Sequence, residues 1–198
     1  MIALAFDADQ DVTKVIQAAL TKKVVAAARY LKNLLPVEVA ALSAAGIKII
    51  SIYESTATRA LAGHDQGVSD GTAALNAAAA LGQPQGSALC VTVDFDATAD
   101  QENAVISYIT GFKEGTTGEA KIMVYANGAV CQAALDAGVA DYTWLAGGMG
   151  MRGSRDFLAS GKATIVQDVG DAQHEDLGIS IDSDQIEQAD FGGWLLPA

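Results

Sequence analysis

Short apolar runs with strand character alternate with longer stretches of helical spacing along the chain. The pattern predicts strands at Ile2–Phe6, Val24–Arg29, Ile47–Tyr53, Ala88–Val93, Lys121–Tyr125, Tyr142–Leu145, Thr164–Gln167 and Gly178–Ile181. Between them, Val12, Val15, Ile16, Ala19 and Leu20 share one helix face, and Ala104, Val105, Tyr108, Ile109 and Phe112 share another. Pro36 suits the first turn of a helix that Gly46 ends, and the Ala-rich run Asp70–Leu81 has high helix propensity. Asn127 is placed to cap a helix that runs to Gly138.

Strand, helix, strand, repeated, implies parallel pairing with right-handed crossovers. Eight such strands in 198 residues predict one α/β domain over 1–198, a compact (β/α)8-type TIM barrel at the small end of the size range. The last crossover is the exception. A polar loop between Gln167 and Gly178 leaves no room for a helix, so the last strand is expected to be irregular, with an antiparallel course open to it.

Composition narrows the partners. Hydrophobic residues make up 51% and charged residues 18%, which is the balance of a folded domain. No apolar run is long enough to cross a bilayer, so membrane insertion is not expected. A net charge of −12 argues against nucleic acid and offers no attraction to an anionic wall polymer. The start of the chain has no basic segment before an apolar one, so no secretory signal is expected and a cytoplasmic location is. Cys90 and Cys131 read as buried thiols, and His64 and His174 lie too far apart for a metal spacing. No cofactor is expected, and the chain is expected to be a monomer.

The acids carry the chemistry. Predicted strands end in Phe6-Asp7-Ala8-Asp9, Tyr53-Glu54 and Val93-Asp94-Phe95-Asp96, and the last strand carries Asp182-Ser183-Asp184. In a barrel the C-terminal strand ends share the face that holds the site, so Asp7, Glu54, Asp94 and Asp96 are expected at one mouth. Asp94 and Asp96, two apart, are expected to point the same way. Such a set suits glycoside cleavage, in which one carboxylic acid protonates the leaving oxygen and a second carboxylate attacks, stabilises charge or activates water. Crowding raises one member's pKa and keeps it protonated. Asp9, Asp100 and Asp184 read as caps or solvated turns. A divalent-cation site built from the same acids is an alternative. Tyr125, Asn127, Trp144, Gln167 and Tyr53, with Arg29 and Tyr30, are candidates to line a glycan cleft through stacking and amide hydrogen bonds.

Gly148-Met149-Gly150-Met151-Arg152-Gly153 matches the spacing of a dinucleotide fingerprint. It comes late in the chain, and Asp168 follows too soon, so a loop at the barrel mouth is the better reading. No Gly-Lys-Ser/Thr follows, which excludes a P-loop.

Taken together, Phe6-Asp7, Leu34-Leu35-Pro36-x-Glu38-Val39, Gly46-Ile47-x-Ile49-Ile50-Ser51-Ile52-Tyr53-Glu54, Ala79-Ala80-Leu81-Gly82-Gln83-Pro84, Val93-Asp94-Phe95-Asp96, Val124-Tyr125-x-Asn127-Gly128 and Trp144-Leu145-Ala146 resemble a family of glycoside-hydrolase-like barrels. That family, formerly a domain of unknown function, occurs in actinobacterial wall-associated proteins and phage lysins. It is in turn distantly similar to the lysozymes of glycoside hydrolase family 25. The resemblance implies roles for Asp7, for Asp94 with Asp96, and for Asp182, where those lysozymes have an Asp ending strand 1, an Asp-x-Glu on strand 4 and an Asp near strand 8. Asp96 departs from the pattern, being one methylene shorter than the Glu expected there, and Glu54 is the other candidate for the acid. The implied activity is a lysozyme-type peptidoglycan hydrolase, as in a phage endolysin held in the host cytoplasm before release to the wall. A sugar-binding or structural module on a barrel without catalysis is the alternative, and a nicotinamide- or metal-dependent enzyme is a third class.

Overall fold

A computed structural model describes residues 3–168 and 177–197. Ile2, His174 and most of the expected polar loop lie outside the described residues. The strands are β1 (Ala3–Ala8), β2 (Val24–Tyr30), β3 (Lys48–Tyr53), β4 (Ala88–Thr92), β5 (Lys121–Ala126), β6 (Tyr142–Leu145), β7 (Ile165–Asp168) and β8 (Asp182–Ile186). They close in chain order into one barrel. The helices are α1 (Ile16–Thr21), α2 (Pro36–Ala44), α3 (His64–Ala80), α4 (Ala99–Gly115), α5 (Gly128–Asp136) and α6 (Ser154–Ala159).

Pairing is parallel from β1 through β7, and β8 runs antiparallel to both β7 and β1. The last strand is therefore irregular as expected, but it is not Gly178–Ile181. It lies at Asp182–Ile186, because alternate residues Asp184 and Ile186 are the ones buried toward the axis. A short apolar run misled the periodicity, while the strand itself carries polar residues at four of its five places.

Two layers of core follow from the two faces of each strand. Inside the barrel, Ala5, Ala26, Ala28 and Ala88 leave space that Met123, Tyr142, Trp144 and Phe191 fill. Small residues on strands 1, 2 and 4 thus make a narrow barrel possible. Outside, Val91, Val105, Ile109, Phe112, Ile122 and Val124 join the sheet to the helices on one side. Val12, Val39, Leu42, Ile47 and Ile49 do the same on the other. The expected α1 face is partly realised: Val12, Val15, Ile16 and Ala19 are buried, and Leu20 is 39% exposed.

Helix α3 begins earlier than its composition suggests, and it packs on α4 backbone to backbone. A Cβ at Gly67 would lie 2.1 Å from the Tyr108 carbonyl oxygen, and one at Gly71 would lie 2.1 Å from that of Phe112. Gly111 and Gly115 make the reciprocal approaches to His64 and Val68. Four glycines spaced in two pairs allow the helices to touch where any side chain would separate them. Below the barrel, Trp194 exchanges backbone hydrogen bonds with Ile49 at 2.8 and 2.9 Å, and Phe191 packs into the barrel interior.

Candidate active site

The C-terminal mouth holds a cavity of about 130 Å³ lined by Asp7, Tyr30, Ile52, Glu54, Thr92, Asp94, Tyr125, Trp144, Gln167 and Asp182. Most of these come from the ends of strands, where the alternation of side chains brings one residue in two to the axis. Asp182 arrives by a different route. It opens the antiparallel strand, and the register places it opposite Asp7.

Asp7 is 7% exposed, and its Oδ2 accepts a hydrogen bond from the Gln167 amide at 3.0 Å. Burial, with Asp182 next, pushes its carboxyl up to about 7, against the opposing Gln167 bond. Glu54 is half-buried just past β3. Burial and then Asp94 raise its carboxyl, while a hydrogen bond with Thr92 and the charge of Lys32 pull the other way. Asp94 and Asp182 are exposed at the rim. Burial first, then neighbouring carboxyls, push the Tyr30 and Tyr125 hydroxyls up, so both stay protonated as donors. Trp144 forms the floor at 2% exposure, edge-on to Tyr125 with centroids 5.2 Å apart. Among the described residues, no Lys or Arg lines the cavity.

Other expected site residues sit elsewhere. Asp96 does not share the cavity with Asp94, because β4 ends at Thr92 and strand alternation no longer governs the chain beyond it. Its Oδ1 accepts from the Asn127 amide at 2.8 Å and from the Arg152 backbone N–H at 2.9 Å. Asn127 is the buried cap of α5, its Oδ1 accepting from Val130 N at 3.0 Å. Tyr53 points to the helix layer and donates to Asp70 at 3.0 Å. Asp70 also takes Arg59 at 2.7 and 2.9 Å, Tyr108 at 2.8 Å and Gln66 at 3.0 Å, a network that secures the segment after Glu54. Arg29 also faces outward, in a buried ion pair with Glu38 at 2.6 Å and a hydrogen bond to the Ala8 carbonyl.

Asp184 is no cap. It is 1% exposed inside the barrel and accepts the Trp144 indole N–H at 2.8 Å. Its signal in the sequence was the alternation Asp182-x-Asp184-x-Ile186, legible once the last strand is placed correctly. Thr92 was also missed, though counting back by two from Asp94 reaches it. The glycine-rich run lies in the loop after β6, tied to the β4–α4 connection through Arg152, which reaches Glu102 at 2.5 Å and the Ala97 carbonyl at 2.8 Å. Among the described residues, no group of three or more His, Cys, Asp or Glu side chains is arranged to hold a metal ion.

A closed eight-stranded barrel with a carboxyl-lined mouth is the architecture of a glycoside hydrolase-like domain. Residues 19–186 match the family model described as the Rv2525c-like, glycoside hydrolase-like domain, and the chain belongs to that family. The crystal structure of the Mycobacterium tuberculosis Tat-secreted protein Rv2525c in complex with HEPES superposes with a TM-score of 0.78, at 24% identity over 98% of each chain. The catalytic domain of endolysin ply40, from bacteriophage P40 of Listeria monocytogenes, matches with a TM-score of 0.60 at 15% identity, over 94% of this chain and 93% of that one. The Clostridium perfringens spore cortex lytic enzyme SleM matches with a TM-score of 0.61 at 10% identity, over 96% of this chain and 68% of that one. No curated protein matches the sequence. The expected cytoplasmic location is contradicted by this comparison: Rv2525c, alike over nearly the whole length, is a Tat-secreted protein.

Proposed function

We propose that this protein is a glycoside hydrolase of the lysozyme type that cleaves the glycan strands of bacterial peptidoglycan. The reading is carried by one observation: Asp7, Glu54, Asp94 and Asp182 converge on one cavity in which two of the carboxyls are held above their usual range. Glycoside cleavage needs an acid that is protonated near neutrality beside a carboxylate. Glu54 serves as the general acid, since it is raised, half-exposed and long enough to reach a leaving oxygen. Asp94 stands beside it as the partner that stabilises the positive charge of the sugar ring or activates water. Asp7, buried, and Asp182, opposite it at the rim, hydrogen-bond sugar hydroxyls, with Tyr30, Tyr125 and Gln167. Support from outside the chain comes from its family and from the two lytic proteins that share its fold.

The test is incubation with purified peptidoglycan, followed by mass spectrometry and a reducing-end assay. New reducing sugar ends that disappear in Glu54→Gln are the expected result. Intact glycan strands across pH 4 to 8, with binding of wall fragments detected by calorimetry, would replace the reading with a sugar-binding module.

A further inference from the structure

One buried acid lies beneath the cavity and not in it. Asp184 sits two residues along β8 from Asp182, facing the axis. Its Oδ1 takes the Trp144 indole N–H, and its Oδ2 has no hydrogen-bond partner among the described residues. Burial first, then Asp7, push this carboxyl well above the ordinary range, against the opposing Trp144 bond, and so favour its neutral form. A leucine, which has the same branching but bulkier methyls in place of the oxygens, would avoid the desolvation penalty. What an aspartic acid supplies here, and a leucine cannot, is an acceptor for the indole.

The indole leads to the reactive end of the barrel. Trp144 meets Tyr125 edge-on, the two planes at 85°. The Tyr125 hydroxyl donates to Gln167 Oε1 at 2.9 Å, and that same amide group donates from Nε2 to Asp7 Oδ2 at 3.0 Å. A second donor, the Gly147 backbone N–H, fixes the Gln167 oxygen at 3.2 Å and so decides which way the amide faces.

We propose that Asp184 is a positioning residue for Asp7: it holds the Trp144 indole from below, which sets the Tyr125 ring, the Gln167 amide and, through them, the Asp7 carboxyl. Only the kinetic consequence rests on the reading of the cavity as a glycosidase site. The effect on the titration of Asp7 does not.

Asp184→Leu leaves the indole N–H buried without an acceptor, so Trp144 moves and the Gln167 bond to Asp7 weakens. That bond favours the charged form, so its weakening moves the Asp7 midpoint upward. Asp184→Asn keeps an oxygen at Oδ1 and rescues the indole. Trp144→Phe removes the donor and leaves Asp184 in place. The experiment is a carboxyl carbon NMR titration of Asp7 in the whole chain, with kcat and KM on purified peptidoglycan. Expected results are an upward midpoint and a kcat about tenfold lower in Asp184→Leu and Trp144→Phe, with KM within about threefold, and both restored in Asp184→Asn. If Asp184→Leu does not fold, Trp144→Phe carries the comparison. A wild-type Asp7 midpoint in Trp144→Phe, or an equal displacement in Asp184→Asn and Asp184→Leu, overturns the proposal. Should the wild-type chain release no reducing ends, the glycosidase reading falls, and the titration still decides the role of Asp184.

Discussion

Asp7 and Asp182 stand opposite one another on antiparallel neighbours, β1 and β8, so two carboxyls share one rung of the barrel at its mouth. Like charges on facing positions repel. The arrangement persists because Asp7 takes up a proton at a pH where an exposed aspartate has lost it.

That proton makes stability depend on pH. In the unfolded chain Asp7 titrates near 3.8, and in the folded chain near 7. Between those values the folded state binds a proton that the unfolded state lacks. Stability therefore falls as pH rises from about 4 to about 7, and the contribution of Asp7 is level above that. The full span is on the order of 4 kcal/mol. Asp7→Asn is expected to flatten this slope and to raise the melting temperature at pH 7 relative to the parent. Melting curves at pH 4.5 and 7 measure both, and an equal slope in parent and variant would contradict the assignment.

Glu54 and Asp96 should part company. Glu54→Gln is expected to lose about 10²- to 10⁴-fold in hydrolysis rate while melting like the parent. Asp96→Ala removes the acceptor for Asn127 and for the Arg152 backbone. It is expected to destabilise by about 1–3 kcal/mol with hydrolysis within a few-fold of the parent at low temperature. Rate assays at 20 °C beside denaturant melts separate the two, and a dead but stable Asp96→Ala would return Asp96 to the acid's role.

Gly71 should tolerate no side chain. With a Cβ 2.1 Å from the Phe112 carbonyl oxygen, Gly71→Ala must push α3 off α4. A loss of roughly 1–3 kcal/mol or more is expected. Gly150→Ala, where a Cβ meets nothing within 4 Å, is the control and should lie within about 0.5 kcal/mol of the parent in the same urea titration.

The Arg29–Glu38 pair has no exposure on either side chain. Glu38→Leu leaves the guanidinium buried without its counter-charge, and is expected to destabilise by about 3–5 kcal/mol. Arg29→Met combined with Glu38→Leu should recover a large part of that loss. A double-mutant cycle by chemical denaturation reads the coupling, and additive losses would show that the charges do not compensate each other.

The barrel was legible because its first seven strands are apolar and parallel, and a strand buried on both faces reads as a short hydrophobic run. The eighth strand pairs in the opposite sense and presents Asp182 and Asp184 inward, so hydropathy alone placed it four residues early. Asp182 still reached the mouth, but as the start of a descending strand. Asp7, Glu54 and Asp94 were legible for a related reason, since each lies at or just past a strand end. Asp96 was not, because the backbone after Thr92 has left the sheet. Tyr53 and Arg29 show the limit of residue type as a guide. Both are polar groups at strand ends, yet their position on the odd face of the pleat sends them to Asp70 and Glu38 in the helix layer.

The downward course of β8 has a consequence for attachment. Ala3 and Ile186 are register partners at the lower rim, and residues 187–197 run across that same underside. Chain entry and chain exit therefore share the pole opposite the carboxyls. A linker, anchor or neighbouring module joined at either end would hang from the base, leaving the mouth turned away from it, as a lamp hangs from its cord with the bulb facing the room.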